Sequence, residues 1–425
     1  KVIKQIRKDL GSGRQMNRLL QGDVGSGKTI VALMIALIAA DNGFQSCLMA
    51  PTEILAKQHF QSISDITETL KVSTALLTGS TTKLGRKEIA KRLESGKIDI
   101  LIGTHAIIED AVKFNNLGLA VVDEQHRFGV AQRAKLWEKN TLPPHVLVMT
   151  ATPIPRTLAM SLYGDLDISI IDELPPGRKK IKTLHFNDKK RLRVFKFISS
   201  EIKKGRQVYI VYPLIKESEK MDYKDLMDGY ESISRAFPKP KYQISIVHGK
   251  MKTKDKDFEM DRFVNKQTQI MVATTVIEVG VNVPNASAMI IESAERFGLS
   301  QLHQLRGRVG RGNEQSFCVL MSSNRLSSDA KTRLETMTKS NDGFEIAEVD
   351  LKLRGPGDLM GTQQSGILQL KIADIIKDNQ WLKFARNDAY ELLRIDPKLK
   401  ATENISLRQT LAKMKVYKNI WNYIS

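Results

Sequence analysis

The residues with the clearest chemical pattern form the stretch GDVGSGKT at positions 22–29. Its spacing matches G-x-x-x-x-G-K-[ST], in which glycines let successive backbone N–H groups point at one phosphate. Lys28 would supply a cation for the β- and γ-phosphates, and Thr29 a hydroxyl ligand for Mg²⁺. We therefore predict a nucleotide and Mg²⁺ as cofactors, and a phosphate-binding loop made of Gly22, Asp23, Val24, Gly25, Ser26, Gly27, Lys28 and Thr29.

An acidic pair, Asp123 and Glu124, follows the apolar run Leu119–Val122. Beside such a loop, Asp123 would hold Mg²⁺ through its water shell, and Glu124 would orient and activate the water that attacks ATP. A polar loop that caps a strand is the alternative, but the loop at 22–29 favours the catalytic interpretation. His126 lies next along the chain, and it would either sense the γ-phosphate and link neighbouring motifs or be a plain structural histidine.

These residues must be positioned by regular elements, and short apolar runs alternate with amphipathic segments of helical length. The alternation predicts parallel sheets with helices on both faces, which bind ligands at the carboxyl ends of their strands. The first series of runs consists of Arg18–Leu20, Ser46–Ala50, Thr74–Leu77, Asp99–Ile102, Leu119–Val122 and His145–Met149. The second series consists of Thr183–Phe186, Val208–Tyr212, Gln243–Val247, Gln269–Ala273, Met289–Ile291 and Phe317–Met321.

The two series predict an α/β fold with two tandem RecA-like lobes and a cleft between them, followed by a mostly helical C-terminal segment. The prolines of Pro175-Pro176-Gly177 would stop any helix and mark a linker between the lobes. The charged stretch Lys220–Lys241 is expected to be a surface excursion. The predicted boundaries are 1–174 for the first lobe, 175–183 for the linker, 184–342 for the second lobe and 343–425 for the C-terminal segment.

The composition limits the class of protein. Lysine and arginine number 66 against 47 for aspartate and glutamate, a net charge of +19 that favours a polyanionic partner, although some soluble proteins are simply basic. No apolar run reaches the roughly 18 residues of a membrane span, and no secretory signal opens the chain. Cys47 and Cys318 lie in apolar runs, which predicts buried thiols in a reducing compartment. Because Lys1 is not Met and already belongs to a helical pattern, we expect a longer natural chain.

Threonines and small residues follow several runs of the first series, in the stretches APTEIL, GTHA and TATPIPRT. Hydroxyls and backbone N–H groups of this kind contact a sugar–phosphate backbone without reading its sequence. Each stretch alone is an ordinary turn, but together they would form a line along one edge of a sheet. The candidates for contact with nucleic acid or for coupling are Pro51, Thr52, Thr104, His105, Thr150 and Thr152.

The motifs APTEILAKQH, IGTHA, VVDEQHRFGV and TATPIPRTLA resemble those of superfamily 2 helicases. The sequences of these motifs are most similar to those of the RecG family of bacterial ATP-dependent DNA helicases, which act on stalled replication forks. The related transcription-repair coupling translocases typically carry DEEH where this chain has Gln125, so that residue favours RecG. The tract from Tyr163 through Thr183 is also RecG-like.

The resemblance assigns roles in the second lobe. QLRGRVGR at 304–311 resembles helicase motif VI, so Gln304, Arg308 and Arg311 would complete the γ-phosphate site, with guanidinium groups suited to charge spread over three oxygens. A basic turn that binds DNA phosphate is the alternative, and Arg306 would be structural or DNA-facing. Residues 273–286 resemble motif V, in which Thr274, Thr275 and Gly280 match coupling positions and Asn282 departs from the usual Asp.

The C-terminal stretch GFEIAEVDLKLRGPGDLMGTQQSG, at 343–366, resembles the translocation motif that RecG shares with the transcription-repair translocases. In that family, this motif couples ATP-driven lobe closure to movement on duplex DNA. Arg354, Gln363 and Gln364 match its polar positions. An ordinary surface loop is the alternative.

The resemblance therefore implies an ATP-dependent, 3′-to-5′ DNA helicase that acts on forks and Holliday junctions in recombination and repair. It implies a monomer in the bacterial cytoplasm, associated with the nucleoid, with DNA and single-strand-binding protein as partners. The family's fork-splitting wedge domain and adenine-recognition motif would precede Lys1. A translocase that remodels protein–DNA complexes without unwinding and an RNA helicase are the alternatives.

Overall fold

The computed structural model describes residues 1–124, 136, 139–140, 142–150, 166–173, 179–213, 219–274, 283–310, 312, 314–358 and 378–413. Within these ranges, two parallel sheets with helices packed on their faces are followed by a helical segment, which confirms the predicted fold class. None of the helices in these ranges has the length and apolar character that crossing a membrane would require.

Within the described ranges, the first sheet has seven parallel strands. They are β1 (Asn17–Gly22), β2 (Gln45–Met49), β3 (Thr74–Leu77), β4 (Ile100–Gly103), β5 (Leu117–Asp123), β6 (His145–Thr150) and β7 (Asp167–Ile171). Their order across the sheet is β3-β4-β2-β5-β6-β1-β7, and all the pairings are parallel. The helices between them are α1 (Val2–Leu10), α2 (Lys28–Asp41), α3 (Glu53–Thr67) and α4 (Lys83–Glu94).

The second sheet has six parallel strands in the part of the chain that the structure describes. They are β8 (Lys182–Asn187), β9 (Gln207–Tyr212), β10 (Ile244–Val247), β11 (Ile270–Thr274), β12 (Ala286–Ile291) and β13 (Phe317–Ser322), in the order β10-β11-β9-β12-β13-β8. The helices of this lobe are α5 (Arg191–Lys203), α6 (Glu219–Ala236), α7 (Thr253–Val264), α8 (Leu299–Arg306) and α9 (Ser328–Lys339). Three further helices follow, α10 (Gly343–Asp358), α11 (Asn379–Ile395) and α12 (Ile405–Lys413).

Both faces of the central strands of each sheet are buried, which explains why those strands are continuous apolar runs. In β2, Leu48 packs into one core of the first lobe, while its neighbours Cys47 and Met49 pack into the core on the opposite face. Cys318 of β13 is likewise fully buried in the second lobe. Burial raises the pKa of both thiols to about 12, and the prediction of buried cysteines is confirmed.

The expectation of a surface excursion at Lys220–Lys241 is wrong. Helix α6 covers most of that stretch, and Leu226, Ile233 and Phe237 pack into the second core of the second lobe. Leu226 is 0% exposed. The charged residues that suggested an excursion share the helix with Leu226 and Ile233, so the high proportion of charge concealed a stripe of residues that faces the core.

Candidate nucleotide site between two lobes

The loop between β1 and α2 has the backbone shape that phosphate binding requires. Gly25 and Gly27 have φ angles of 75° and 95°, in the left-handed region that glycine tolerates best. Gly27 is the N-cap of α2 and brings no side chain that caps the helix. Since the first turn of a helix leaves N–H groups without intrahelical partners, these donors face the loop.

Lys28 lies folded against this loop. Its Nζ donates hydrogen bonds to the carbonyl oxygens of Gly22, at 2.8 Å, and Asp23, at 2.9 Å. The side chain is 8% exposed, so the ammonium group is held beside the cradle of N–H groups. The buried Ser26 Oγ has no hydrogen-bond partner among the described residues. A cation and unused donors around one concave loop fit the phosphates of a nucleotide.

The acidic pair reaches the same edge of the sheet because β5 ends at Asp123. Asp123 is 7% exposed, and its Oδ2 lies 2.9 Å from Nε2 of His59 on α3. Burial alone would raise the pKa of Asp123, but the hydrogen bond and charge of His59 and the nearby Lys28 ammonium outweigh it and lower that pKa. An ionised carboxylate at this place suits Mg²⁺.

Glu124 follows in an uncommon backbone conformation. Its φ of 55° lies in the left-handed region, although it is not glycine, and its N–H donates to Asp123 Oδ1 at 3.1 Å. Such strain concentrates at functional sites, because the surrounding structure must hold it. No group of three or more acidic, histidine or cysteine residues among the described residues could hold a metal by itself. Thr29 and Asp123 therefore fit Mg²⁺ that is shared with phosphate oxygens rather than a closed protein cage.

His59 had no role in the sequence prediction. The pattern predicted a helix over Glu53–Ile63, but the contact with Asp123 depends on strand order. Strand β2 lies beside β5 in the sheet, so α3, which follows β2, passes over the end of β5. A histidine on the buried face of that helix was the signal, and it could be interpreted only after the pairing of β2 with β5 was known.

The second lobe contacts the phosphate-binding loop through α8 and the residues after it. His303 Nε2 lies 3.0 Å from Asp23 Oδ1. Gly307 approaches so closely that a Cβ atom there would lie 2.9 Å from the Cβ of Val24. The segment predicted to complete the γ-phosphate site therefore lies directly against the loop that carries Lys28.

Arg306 holds His303 in place for its contact with Asp23. Its guanidinium is 2% exposed and donates to the carbonyl oxygens of Met337, at 3.0 Å, and Ser340, at 2.7 Å, at the end of α9. It also donates to His303 Nδ1 at 3.0 Å. Because an arginine has no acceptor, His303 Nδ1 must accept, so Nε2 carries the hydrogen and donates to Asp23. This burial favours the structural role for Arg306 over the DNA-facing one.

Of the other predicted catalytic residues, Arg308 is 5% exposed and directly follows Gly307. Gln304 is half-buried on α8. A cleft of about 690 Å³ opens between the lobes beside the loop. It is lined by Asp23, Val24 and Ser26 from the first lobe and by Arg306 and Gly307 from the second, together with Lys179–Ile181 and the turn between α9 and α10.

The candidates for DNA contact lie where the parallel strands end. Pro51 and Thr52 follow β2, and the Thr52 hydroxyl accepts from Leu55 N–H as the cap of α3. Thr104, buried, and His105, exposed, follow β4, and the buried Thr150 and Thr274 end β6 and β11. Arg354 lies in α10, but its side chain is outside the described part of the chain. His126, Thr152, Thr275, Gly280, Arg311, Gln363 and Gln364 also lie outside the described residues.

Three stretches of the chain match known families. Residues 1–161 match the DEAD/DEAH box helicase family, and residues 189–313 match the helicase conserved C-terminal domain. Residues 340–425 match ATP-dependent DNA helicase RecG, domain 3, C-terminal. The ATP-dependent DNA helicase RecG of Synechocystis is 50% identical over 408 residues, or 96% of this chain and 49% of that relative. Over nearly its whole length, the chain is similar to RecG helicases.

The resemblance to RecG in the motifs is thereby confirmed over nearly the whole chain. RecG of Bacillus subtilis is 50% identical over 416 residues, which are 98% of this chain and 61% of that relative. A solved structure of RecG bound to a three-way DNA junction is similar with a TM-score of 0.75 and 42% identity, and the match covers 90% of this chain and 49% of that one. The chain thus spans about half of the length of the RecG proteins it matches.

Proposed function

We propose that these two lobes form the ATP-driven motor of a DNA helicase that acts on branched DNA, such as stalled forks and Holliday junctions, in recombination and repair. The observation that carries the proposal is the contact between the lobes, in which His303 donates to Asp23 and Gly307 lies against Val24. Each lobe thereby supplies one side of a single site. The names of the relatives and the junction-bound RecG structure support the substrate class.

The residues of the first lobe would bind and orient the nucleotide. Lys28 and the N–H groups of the loop bind the phosphates, while Thr29 and Asp123 hold Mg²⁺, which would neutralise charge that develops on the phosphate oxygens. Glu124 orients the attacking water and accepts its proton. Arg308 and Arg311 would act on the γ-phosphate from the second lobe, so hydrolysis would require the cleft to close.

Movement on DNA would follow from opening and closing of that cleft. The strand ends that carry Thr52, Thr104 and Thr274 would hold the sugar–phosphate backbone without reading bases. Helix α10, where the translocation motif starts, is anchored to the second lobe through Ile346 in its core and a 2.8 Å hydrogen bond from Ser300 to Asp350. Lobe motion would therefore pull on Arg354, Gln363 and Gln364.

The finer features follow the same family. We propose 3′-to-5′ movement, a monomeric motor, a location in the bacterial cytoplasm at the nucleoid, and single-strand-binding protein as a further partner. A translocase of the transcription-repair type is not favoured, because the relatives at about 50% identity are RecG helicases.

The deciding experiment compares ATP hydrolysis by this 425-residue chain with a three-way DNA junction, linear duplex DNA and RNA. We expect hydrolysis that requires Mg²⁺, rises most with the junction and responds little to RNA, with Lys28→Ala as the inactive control. Hydrolysis that RNA stimulates as strongly as the junction does would overturn the substrate class. Absence of hydrolysis in the unmodified chain under all three conditions would overturn the motor itself.

A further inference from the structure

We propose that His59 is a positioning residue that holds the Mg²⁺-binding carboxylate of Asp123 and couples it to the DNA-side end of α3. The proposal rests on the proposed motor function. It adds a residue that would link the Mg²⁺ site to the edge where DNA would bind. It has a geometric basis in one helix, α3, which touches three parts of the molecule. These parts are the line of strand ends, the second lobe and the Mg²⁺ carboxylate.

The first turn of α3 lies at the DNA side and against the second lobe. Thr52 caps the helix directly after β2, at the edge where nucleic acid would lie. Ile54 packs against the apolar core of the second lobe. Glu53 accepts a hydrogen bond from Ser80 and pairs with Lys57 at 3.1 Å, and their charges act on Asp257 of α7. A shift of the second lobe or of bound DNA would therefore displace this turn.

His59 lies two turns further along the same helix. It lies seven positions after Thr52, which corresponds to about 10 Å along a rigid α-helix. It lies on the face that carries Leu55 and Ile63 into the first lobe and is 9% exposed. Because an α-helix moves as a rigid rod over this distance, displacement of its first turn reaches His59 with little loss.

The carboxylate of Asp123 depends on that contact for its orientation. Oδ2 faces His59 at 2.9 Å, and Oδ1 accepts the N–H of Glu124 at 3.1 Å. With one contact on each oxygen, the orientation of the carboxylate is fixed, and each oxygen keeps a lone pair that could serve Mg²⁺. Partners of this kind orient metal ligands, and their loss costs about 10- to 100-fold in metal affinity.

His59→Leu and His59→Asn, measured with Mg²⁺ and a fluorescent ATP analogue, test the proposal. Leucine removes the contact, whereas the asparagine amide can still donate to a carboxylate. We expect His59→Leu to raise the Mg²⁺ concentration at half-saturation of analogue binding by about 10- to 100-fold, and His59→Asn to restore much of it. Analogue binding without Mg²⁺, which depends on Lys28, is expected to stay unchanged in both.

The coupling between the DNA-side end of α3 and Asp123 is measured at saturating Mg²⁺. The measure is the rate of ATP hydrolysis with the three-way junction divided by the rate without it. We expect that ratio to fall several-fold in His59→Leu. Gln61→Ala is the matched control, because Gln61 is exposed on the same helix and bonds only to Asp65 among the contacts seen here. It should keep both the Mg²⁺ dependence and the ratio.

Parental Mg²⁺ dependence in a folded His59→Leu protein would overturn the positioning role, and an unchanged ratio would overturn the coupling. Should leucine prevent folding, His59→Ala decides by the same two measurements, since it also removes the donor to Asp123 and adds no bulk. A failure of the proposed motor would look different, because the unmodified chain would then lack DNA-stimulated hydrolysis. The Mg²⁺-dependent binding of the analogue would still report on His59.

Discussion

His303 of the second lobe donates a hydrogen bond from Nε2 to Asp23 Oδ1 in the phosphate-binding loop, at 3.0 Å. The donor is fixed by Arg306, which occupies Nδ1 and is itself held by carbonyl oxygens at the end of α9. A continuous chain of hydrogen bonds thus runs from the base of the C-terminal helices to the loop that holds Lys28. The loop and the second lobe are thereby coupled directly.

Removing this hydrogen bond is expected to loosen the lobes. Hydrogen bonds to a charged group contribute about 1.5–3 kcal/mol, so His303→Leu should favour the separated arrangement by about 10-fold or more. The distance between fluorophores on the two lobes measures this equilibrium. Asp23→Asn is the matched variant, because its amide oxygen can still accept from His303, and it should loosen the lobes less. Equal loosening in both variants would contradict the assigned donor.

Arg308→Ala is expected to lower the turnover of ATP by about 10³-fold or more while sparing most of the nucleotide affinity, because a guanidinium at the γ-phosphate acts mainly in the transition state. Single-turnover hydrolysis and analogue binding measure the two effects separately. Burial of Arg308 next to Gly307 makes folding a concern, so Arg308→Lys, which keeps the charge, is the control. Wild-type turnover in Arg308→Ala would refute the assignment.

Glu124→Gln is expected to bind ATP and Mg²⁺ normally and to hydrolyse ATP about 10²- to 10⁴-fold more slowly. The amide keeps the size of the side chain but cannot accept a proton from water. Analogue binding and phosphate release are the two measurements. A parallel loss of Mg²⁺-dependent binding would instead mean that the Glu124 carboxylate itself helps to hold Mg²⁺, because the substitution leaves the backbone N–H that donates to Asp123 Oδ1 in place.

The sequence was sufficient to predict candidate residues that are neighbours along the chain. The loop at 22–29 and the pair Asp123 and Glu124 belong to this class, and apolar runs predicted most of the strands. Strand β7 was missed because it has no continuous apolar run. It is an edge strand in which the only buried residue is the polar Ser169, which interrupts the isoleucines.

Contacts between distant residues could not be predicted in this way. His59 lies 64 positions from Asp123, and His303 lies 280 positions from Asp23. The first pair depends on the order of β2 and β5, and the second on how two lobes dock. Neither the order of strands in a sheet nor the docking of two lobes produces a periodic pattern in a single sequence.

Helix α6 gives a test of the corrected fold. Leu226→Ala is expected to lower the free energy of unfolding of the second lobe by about 2–5 kcal/mol, because a fully buried leucine leaves a cavity when truncated. Urea denaturation followed by circular dichroism measures the change. Glu231→Ala, on the exposed side of the same helix, should change it by less than about 0.5 kcal/mol. Equal, small effects of the two substitutions would mean that this stretch does not pack into the core.

Glu201 is expected to make the stability of the second lobe depend on pH. Its side chain is fully buried and accepts hydrogen bonds from Ser287 and Lys204, both at 2.6 Å. Burial alone would raise the pKa of Glu201, but these hydrogen bonds and the charge of Arg206 outweigh it, so the folded pKa lies below its ordinary value. The unfolded state then binds the proton more tightly, and this contribution to stability is complete above the unfolded pKa and disappears as the pH falls through the folded one.

Glu201→Gln should therefore lower the urea midpoint at neutral pH, by about 1–3 kcal/mol in the free energy of unfolding, since hydrogen bonds to a charged group are lost. The difference from the unmodified chain should shrink as the pH falls below the ordinary range of a glutamate. Ser287→Ala removes one donor and leaves the charge, so it should reduce the pH dependence only in part. A difference that stays constant from neutral to acidic pH would mean that the size of the amide, and not the charge of Glu201, matters at this position.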